Sequence, residues 1–449
     1  MKLTQLFQKL SLLATLLTIA SRVDLHAQTN VSVYATGLTL PIGLEIDNQG
    51  RLWVAEQGTA NNDSRISVVT TDGMVHPFLT GLPSAVVEGT PSGAEHLYLD
   101  ANGNLLILQG GISNFLSASV LTISIAGFTP GDTSRKIDDL KSVHKIGRFS
   151  LSRGATESNP YTLAIGPENN LFIVDASLNG IVKLERCTGN LDVFAAFAPI
   201  PNPTPIGPPV IDAVPTGIVF RNNKFYVGGL SGFPFLPDSS RIYEVDLNGN
   251  VSVFKRGLTS VVDLAIDPRD GNLVFLQFGR FAFDPPPPDF RPNSGGVFKL
   301  KNGAVDTIAF GLNFTAGLRF NTNGDLFVSS IADGQILKIT FPVTAVETRP
   351  RQGLPREFGL AQNFPNPFPS NGKTRISYQL ARPGRVVVQV FNLMGQEVRT
   401  LINEFKPAGA FEVLWDGKDN AGRQLSNGTY LYQIEAQGLV QTKKMVLLQ

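Results

Sequence analysis

Cysteine is nearly absent from this chain of 449 residues, where Cys187 stands alone. One cysteine excludes an intramolecular disulfide and any metal site built from several thiolates. It reads as a free thiol buried as a small hydrophobe, in preference to a nucleophile. Histidine is almost as scarce: of four, only His76, His96 and His144 lie beyond the first 27 residues. A His-rich metal site or a His-based triad therefore has little material. Charge is low as well, at 17% of residues with a net of +1. No bulk field draws the chain to nucleic acid or to an anionic membrane, and no nucleic-acid partner is expected. The phosphate-cradling Gly-x-x-x-x-Gly-Lys-Ser/Thr, the zinc-binding His-Glu-x-x-His, the Gly-x-Ser-x-Gly elbow and the EF-hand loop are all missing.

Long apolar runs are missing too. Leu10–Ala20 is too short to span a bilayer as a stable helix, and it follows Lys2 and Lys9. That order reads as a secretory signal over residues 1–27, with cleavage expected after Ala27. No transmembrane segment is expected in the mature chain.

Turn formers, by contrast, are abundant: 44 Gly and 30 Pro among 42% apolar residues. Short strands with many turns favour an all-β fold. One phrase organises them. Its first copy is Leu40–Glu56: a strand, a tight turn carrying Asx and Gly, then a second strand ending in a polar residue. Further copies occupy Gly93–Gln109, Pro160–Asp175, Pro215–Gly228, Val261–Gln277 and Thr315–Ser330. Leu44, Leu97, Leu163, Ile218, Leu264 and Leu318 fill the same apolar slot, 46 to 66 residues apart. A constant phrase with variable loops predicts the inner strands of propeller blades, so residues 28–341 are expected to form a six-bladed β-propeller. Outer strands are expected at Arg65–Thr70 and Val75–Thr80, at Arg241–Asp246 and Val251–Lys255, and at Gly296–Leu300 and Ala304–Phe310. The sixth copy has one outer strand, Gln335–Phe341, and Val31–Thr36 is the expected partner that closes the ring. Residues 111–158 read as an insertion between blades two and three. Pro199–Pro209 and Pro285–Pro288 read as surface loops.

Residues 342–357 read as a linker, and the phrase stops there. Over 358–449 the segments Thr374–Leu380, Arg385–Asn392, Glu397–Ile402, Phe411–Trp415, Thr429–Ala436 and Lys443–Leu448 alternate like strands of a small Ig-like β-sandwich.

Chemistry is expected where equivalent positions converge around the ring. The second inner strands end in Glu56, Gln109, Asp175, Gly228, Gln277 and Ser330. One reading is a binding rim, with Glu56 and Asp175 as oxygen ligands of a hard cation such as Ca²⁺. The other is that these ends are polar because they meet water and bond nearby backbone N–H groups. No other cofactor is expected. A second slot holds Glu45, Tyr98, Ala164, Val219, Ala265 and Arg319, and places Glu45 beside Arg319 across the closure seam, where the two are expected to pair. The slot before it brings His96 and Asp263 near the channel with Glu95 beside them. His96 reads as a general base, a metal ligand or a satisfied structural histidine.

Two resemblances add to this. The motifs Asn363-Phe364-Pro365-Asn366-Pro367-Phe368, Phe391-Asn392-Leu393-Met394-Gly395-Gln396, Trp415-Asp416-Gly417-Lys418-Asp419, Ser426-Asn427-Gly428-Thr429-Tyr430 and Lys443-Lys444-Met445-Val446-Leu447-Leu448 follow one another in order. Residues 358–449 thereby resemble the type A C-terminal sorting domain of the type IX secretion system of Bacteroidetes. The resemblance implies export through the periplasm to the outer surface or medium, with the secretion machinery as partner. The phrases Val214-Pro215-Thr216-Gly217-Ile218, Gly228-Gly229-Leu230-Ser231-Gly232-Phe233-Pro234-Phe235 and Asn159-Pro160-Tyr161-Thr162-Leu163 make the first 340 residues similar to NHL-type propellers, and among them to the ScyD/ScyE family associated with scytonemin biosynthesis. That likeness implies fold more than activity. The expected function is a secreted or cell-surface binding protein for a small-molecule, glycan or protein ligand. The alternative is a propeller enzyme at the channel mouth: a lactonase-like hydrolase, a lyase or an accessory oxidative factor.

Overall fold

The computed structural model describes residues 30–87, 90–110, 116–286, 288–341, 358–370, 372–380, 384–406, 409–436 and 439–448. The expected signal peptide and linker lie outside them. The chain divides into two compact units, 1–343 and 344–449.

Six four-stranded antiparallel sheets build the first unit, each begun by one copy of the phrase. Blade one is Pro41–Ile46, Leu52–Glu56, Ser64–Val69 and Val75–Leu82. Inner strands of the next four blades are Ala94–Leu99, Pro160–Ile165, Pro215–Arg221 and Val261–Ile266. Blade six starts at Thr315–Phe320 and takes its outermost strand from the other end of the unit. Asn30–Ala35 pairs with Gln335–Thr340, Asn30 opposite Thr340 and Val31 opposite Ile339. Each inner strand touches the next, and the sixth touches the first, so the ring is closed as the phrase predicts. At the seam Ser329 Oγ donates to the Ile42 carbonyl at 2.6 Å.

Local chemistry explains the repeated hairpin. Asp47 Oδ1 accepts the N–H groups of Gln49 and Arg51. Asp100 and Asn321 do the same for the residues two and four further on in their copies, and Asp246 does so in the outer turn of blade four. An Asx side chain that satisfies two turn N–H groups sets the hairpin before any tertiary contact forms. Blades then stack through apolar faces. Trp53, Ile66, Val68 and Phe78 of blade one pack on Leu97, Leu105, Ile107 and Leu121 of blade two in one buried cluster. Trp53 keeps its polar edge satisfied by donating Nε1–H to Asp47 Oδ2 at 3.0 Å.

Three expectations are corrected. Residues 111–158 are not only an insertion between blades: they supply the outer strands of blade two, Ser119–Ser124 and Ser142–Lys145, followed by the helix Ile146–Ser152. Pairing residues are mostly apolar in the first of these strands, but the second is too short and polar to stand out in a sequence. Cys187 is exposed, not buried, because it lies in the turn between Gly180–Leu184 and Leu191–Ala196. In blade four the residue opposite the start of the inner strand is Gly229, not Gly228.

The second unit is an Ig-like sandwich. One sheet orders Gly359–Leu360, Thr374–Leu380 and Gly409–Trp415. The other orders Phe368–Pro369, Leu439–Leu448, Gly428–Ala436, Gly384–Phe391 and Glu397–Lys406. Ile376, Val388, Trp415, Tyr432 and Met445 form its core.

Candidate functional site

All six inner strands carry a break in pairing register at the same place, just before the shared apolar slot. A bulge repeated six times bends each strand and re-aims the residues beside it. That is how Glu95 and His96, neighbours in sequence, are both almost fully buried.

Beyond the bulge, Glu45, Tyr98, Ala164, Val219, Ala265 and Arg319 all line one cavity of about 500 Å³. Its lining is divided. Glu45, Tyr98, Arg319, Asn321 and Thr322, from blades six, one and two, are its polar side. Blades three, four and five contribute only apolar residues, among them Leu163, Ile165, Ile218, Phe220, Leu264 and Ile266.

The expected pair across the seam is present: Arg319 Nε lies 3.6 Å from Glu45 Oε2. Arg319 also reaches Asp263 Oδ2 at 3.4 Å and donates to the Leu318 carbonyl at 2.8 Å. The guanidinium is thus shared between two carboxylates. Burial pushes the Glu45 carboxyl up, and Arg319 offsets this only in part. Burial acts on Asp263 in the same sense, yet Arg319 above all, with the Leu318 N–H, holds its carboxyl below the usual range.

Asp263 meets His96 beneath the cavity. Blades two and five face each other across a six-membered ring, and His96 Nε2 stands 3.8 Å from Asp263 Oδ2. The approach is possible because three of the six strands carry glycine at this level. A Cβ on Gly43 would clash with His96 Cα, one on Gly217 with Asp263 Cα, and one on Gly317 with the Ile42 carbonyl. The Tyr161 ring lies 4.6 Å from the imidazole. Burial foremost, then the charges of Glu95 and Asp263, raises the Tyr161 phenol well above its ordinary value. Burial pushes Glu95 up to about 7, although Gln57 Nε2 donates to both its oxygens at 3.0 and 3.1 Å.

The strand ends expected to form a rim do not line this cavity. They sit opposite the starts of the inner strands, Glu56 facing Pro41 and Asp175 facing Pro160, whereas Glu45 lies at the far end of its strand. Each is engaged locally. Glu56 takes Arg65 in a bidentate pair at 2.7 and 2.9 Å and accepts the Thr39 N–H. Asp175 accepts Ser150 Oγ, Ser158 Oγ and the N–H groups of Asn159, Ser177 and Leu178. Gln109 donates to the Pro83 carbonyl, Gln277 to that of Ser294, and Ser330 to Asn313 and Asp333. Of the second reading, the bonding to nearby groups is present, but these ends do not meet water, since Glu56, Gln109, Asp175 and Ser330 are fully buried. Both oxygens of Glu56 and of Asp175 accept local donors. Among the described residues no three His, Cys, Asp or Glu side chains are grouped to hold a metal.

Residues 366–439 match the family model of the FlgD Ig-like domain. An Ig-like domain therefore sits at the C-terminus. No curated protein matches the chain. Among solved structures, it is similar to a protein of unknown function from Bacteroides thetaiotaomicron (11% identity, 70% of this chain and 76% of that one, TM-score 0.48). It is also similar to a gluconolactonase from Xanthomonas campestris (13%, 70% and 90%, TM-score 0.46) and to virginiamycin B lyase from Staphylococcus aureus (15%, 70% and 100%, TM-score 0.43).

Proposed function

We propose that this chain is a secreted or cell-surface binding protein of the ScyD/ScyE-like NHL propeller type, which seats a small amphipathic molecule in the channel cavity. The divided lining carries the reading. A cavity with apolar walls and a few polar groups on one side is suited to a ligand with an apolar body and a polar edge. Residues 358–449 act as the export tag for the type IX secretion system, which delivers the propeller through the periplasm to the outer surface or medium. The sorting motifs and the Ig-like fold of that segment support this part.

Two experiments test the two halves. Native mass spectrometry of the secreted chain is expected to show a co-purifying organic molecule that is lost in Ala265→Trp, where the indole fills the cavity. Retention of the same molecule by that variant places it elsewhere and defeats the cavity reading. Deleting 358–449 is expected to leave the propeller in the periplasm; unchanged surface delivery refutes the sorting role.

A further inference from the structure

One hydrogen-bonding requirement is unmet beneath the cavity. Both ring nitrogens of His96 are buried without a hydrogen-bond partner, and the side chain is 1% exposed. Buried polar atoms are almost always bonded, so an imidazole with neither nitrogen engaged points to a missing partner. The facing carboxylate defines what that partner is. At 3.8 Å, Nε2 and Asp263 Oδ2 are too far apart to bond each other. The tautomer that Asp263 favours carries the proton on Nε2. An atom set to the side of this gap must accept from Nε2–H and donate to Oδ2.

A hydroxyl group does both. A carboxylate or phosphate would meet Asp263 with like charge. An ammonium would satisfy Asp263 but offers no acceptor to Nε2–H. The rest of Asp263 is already engaged, Oδ1 by the Leu264 N–H at 2.8 Å and Oδ2 by the Leu318 N–H at 3.0 Å. The gap therefore has one open donor, Nε2–H, and an acceptor, Oδ2, whose second bond is the long 3.4 Å one from Arg319 Nη1, which a hydroxyl can replace. It also lies next to the cavity: Arg319 lines the cavity and touches Asp263, and Leu264, which follows Asp263, is part of the apolar wall.

We propose that His96 and Asp263 form an inner polar socket that binds a hydroxyl group of the ligand whose apolar body occupies the cavity. This rests on the cavity reading above and names the ligand class: an apolar ring or chain bearing an alcohol. Arg319 touches both, lining the cavity and reaching Asp263 Oδ2.

Benzyl alcohol and toluene, of matched apolar body, separate the two claims. The full chain, labelled with ¹⁵N-histidine, is titrated with each while ligand resonances report binding and the imidazole nitrogens report the socket. Benzyl alcohol is expected to bind about tenfold more tightly than toluene and to move the His96 nitrogen signals saturably. In His96→Phe that advantage is expected to vanish with toluene binding retained. The wild-type nitrogen shifts stand as the readout if the variant does not fold. Equal binding of the two probes with His96 unmoved overturns the socket and leaves the cavity reading intact. If neither probe binds, the cavity reading fails and the socket fails with it.

Discussion

His96 Nε2 and Asp263 Oδ2 meet 3.8 Å apart, the first on blade two and the second on blade five, on opposite sides of the ring. They lie 167 positions apart in the chain, the difference between their residue numbers. Glycine at three neighbouring strands draws the ring tight enough for two side chains to close the channel between them. Beside that contact Arg319 is shared between Asp263 and Glu45.

Asp263→Asn removes the carboxylate that holds Arg319 from below and leaves Glu45 at 3.6 Å as its partner. Breaking a buried pair costs about 3 kcal/mol, at the low end here because the Arg319 side chain keeps contact with the cavity. Urea unfolding followed by Trp53 fluorescence in a Trp415→Phe background measures it for the propeller alone. An unchanged midpoint contradicts the role given to the pair.

Glu95 makes stability depend on pH. Its folded carboxyl titrates at about 7, above the 4.5 of the free group. The protonated form is favoured in the fold, so its stabilisation is complete below pH 4.5 and is lost as pH rises to 7 and beyond. The loss reaches about 3 kcal/mol above pH 7. Glu95→Gln keeps an acceptor for Gln57 and carries no charge. It is expected to match the wild type at pH 4 and to exceed it by that amount at pH 8; parallel pH profiles would rule this out.

Gly43→Ala and Gly317→Ala each set a methyl group against the backbone of the adjoining inner strand. Backbone cannot rotate away as a side chain can, so each variant is expected to lose about 3 kcal/mol, the upper end for overpacking. Gly37→Ala serves as a control for space, since nothing lies near its Cβ, although its positive φ adds a smaller strain. Denaturation midpoints of the three variants give the comparison.

Deleting residues 30–35 opens the ring by removing the outermost strand of blade six. Six residues of ladder at about 1 kcal/mol per hydrogen bond imply a loss on the order of 5 kcal/mol. A synthetic peptide of residues 30–35 added in trans is expected to restore part of the thermal midpoint. A midpoint that does not move on deletion would show that the seam carries no stability.

Much of the fold is legible in the chain because the signals that specify it are local. Asp47 bonds its own turn, Leu44 and its five equivalents mark the inner strands, and alternation from Thr374 to Leu448 marks the sandwich strands. The place of Glu45 beside Arg319 also followed, since equal slots on neighbouring blades must adjoin once Asn30–Ala35 closes the ring. Weak local signals failed: the short strand Ser142–Lys145 was hidden in polar sequence, and Cys187 was judged by residue type without its turn.

The site was decided elsewhere. The chain by itself determined the blade phrase, its sixfold repetition, the closure partner and the second unit. Which end of the inner strands opens into a cavity is set by how six bulged strands crowd about an axis, and no single strand encodes that crowding. The same packing buries Glu56 and Asp175 and gives each a set of local donors. It also left His96 buried with both nitrogens unpaired, because a side chain's partners across the ring come from strands that only the closed ring brings within reach.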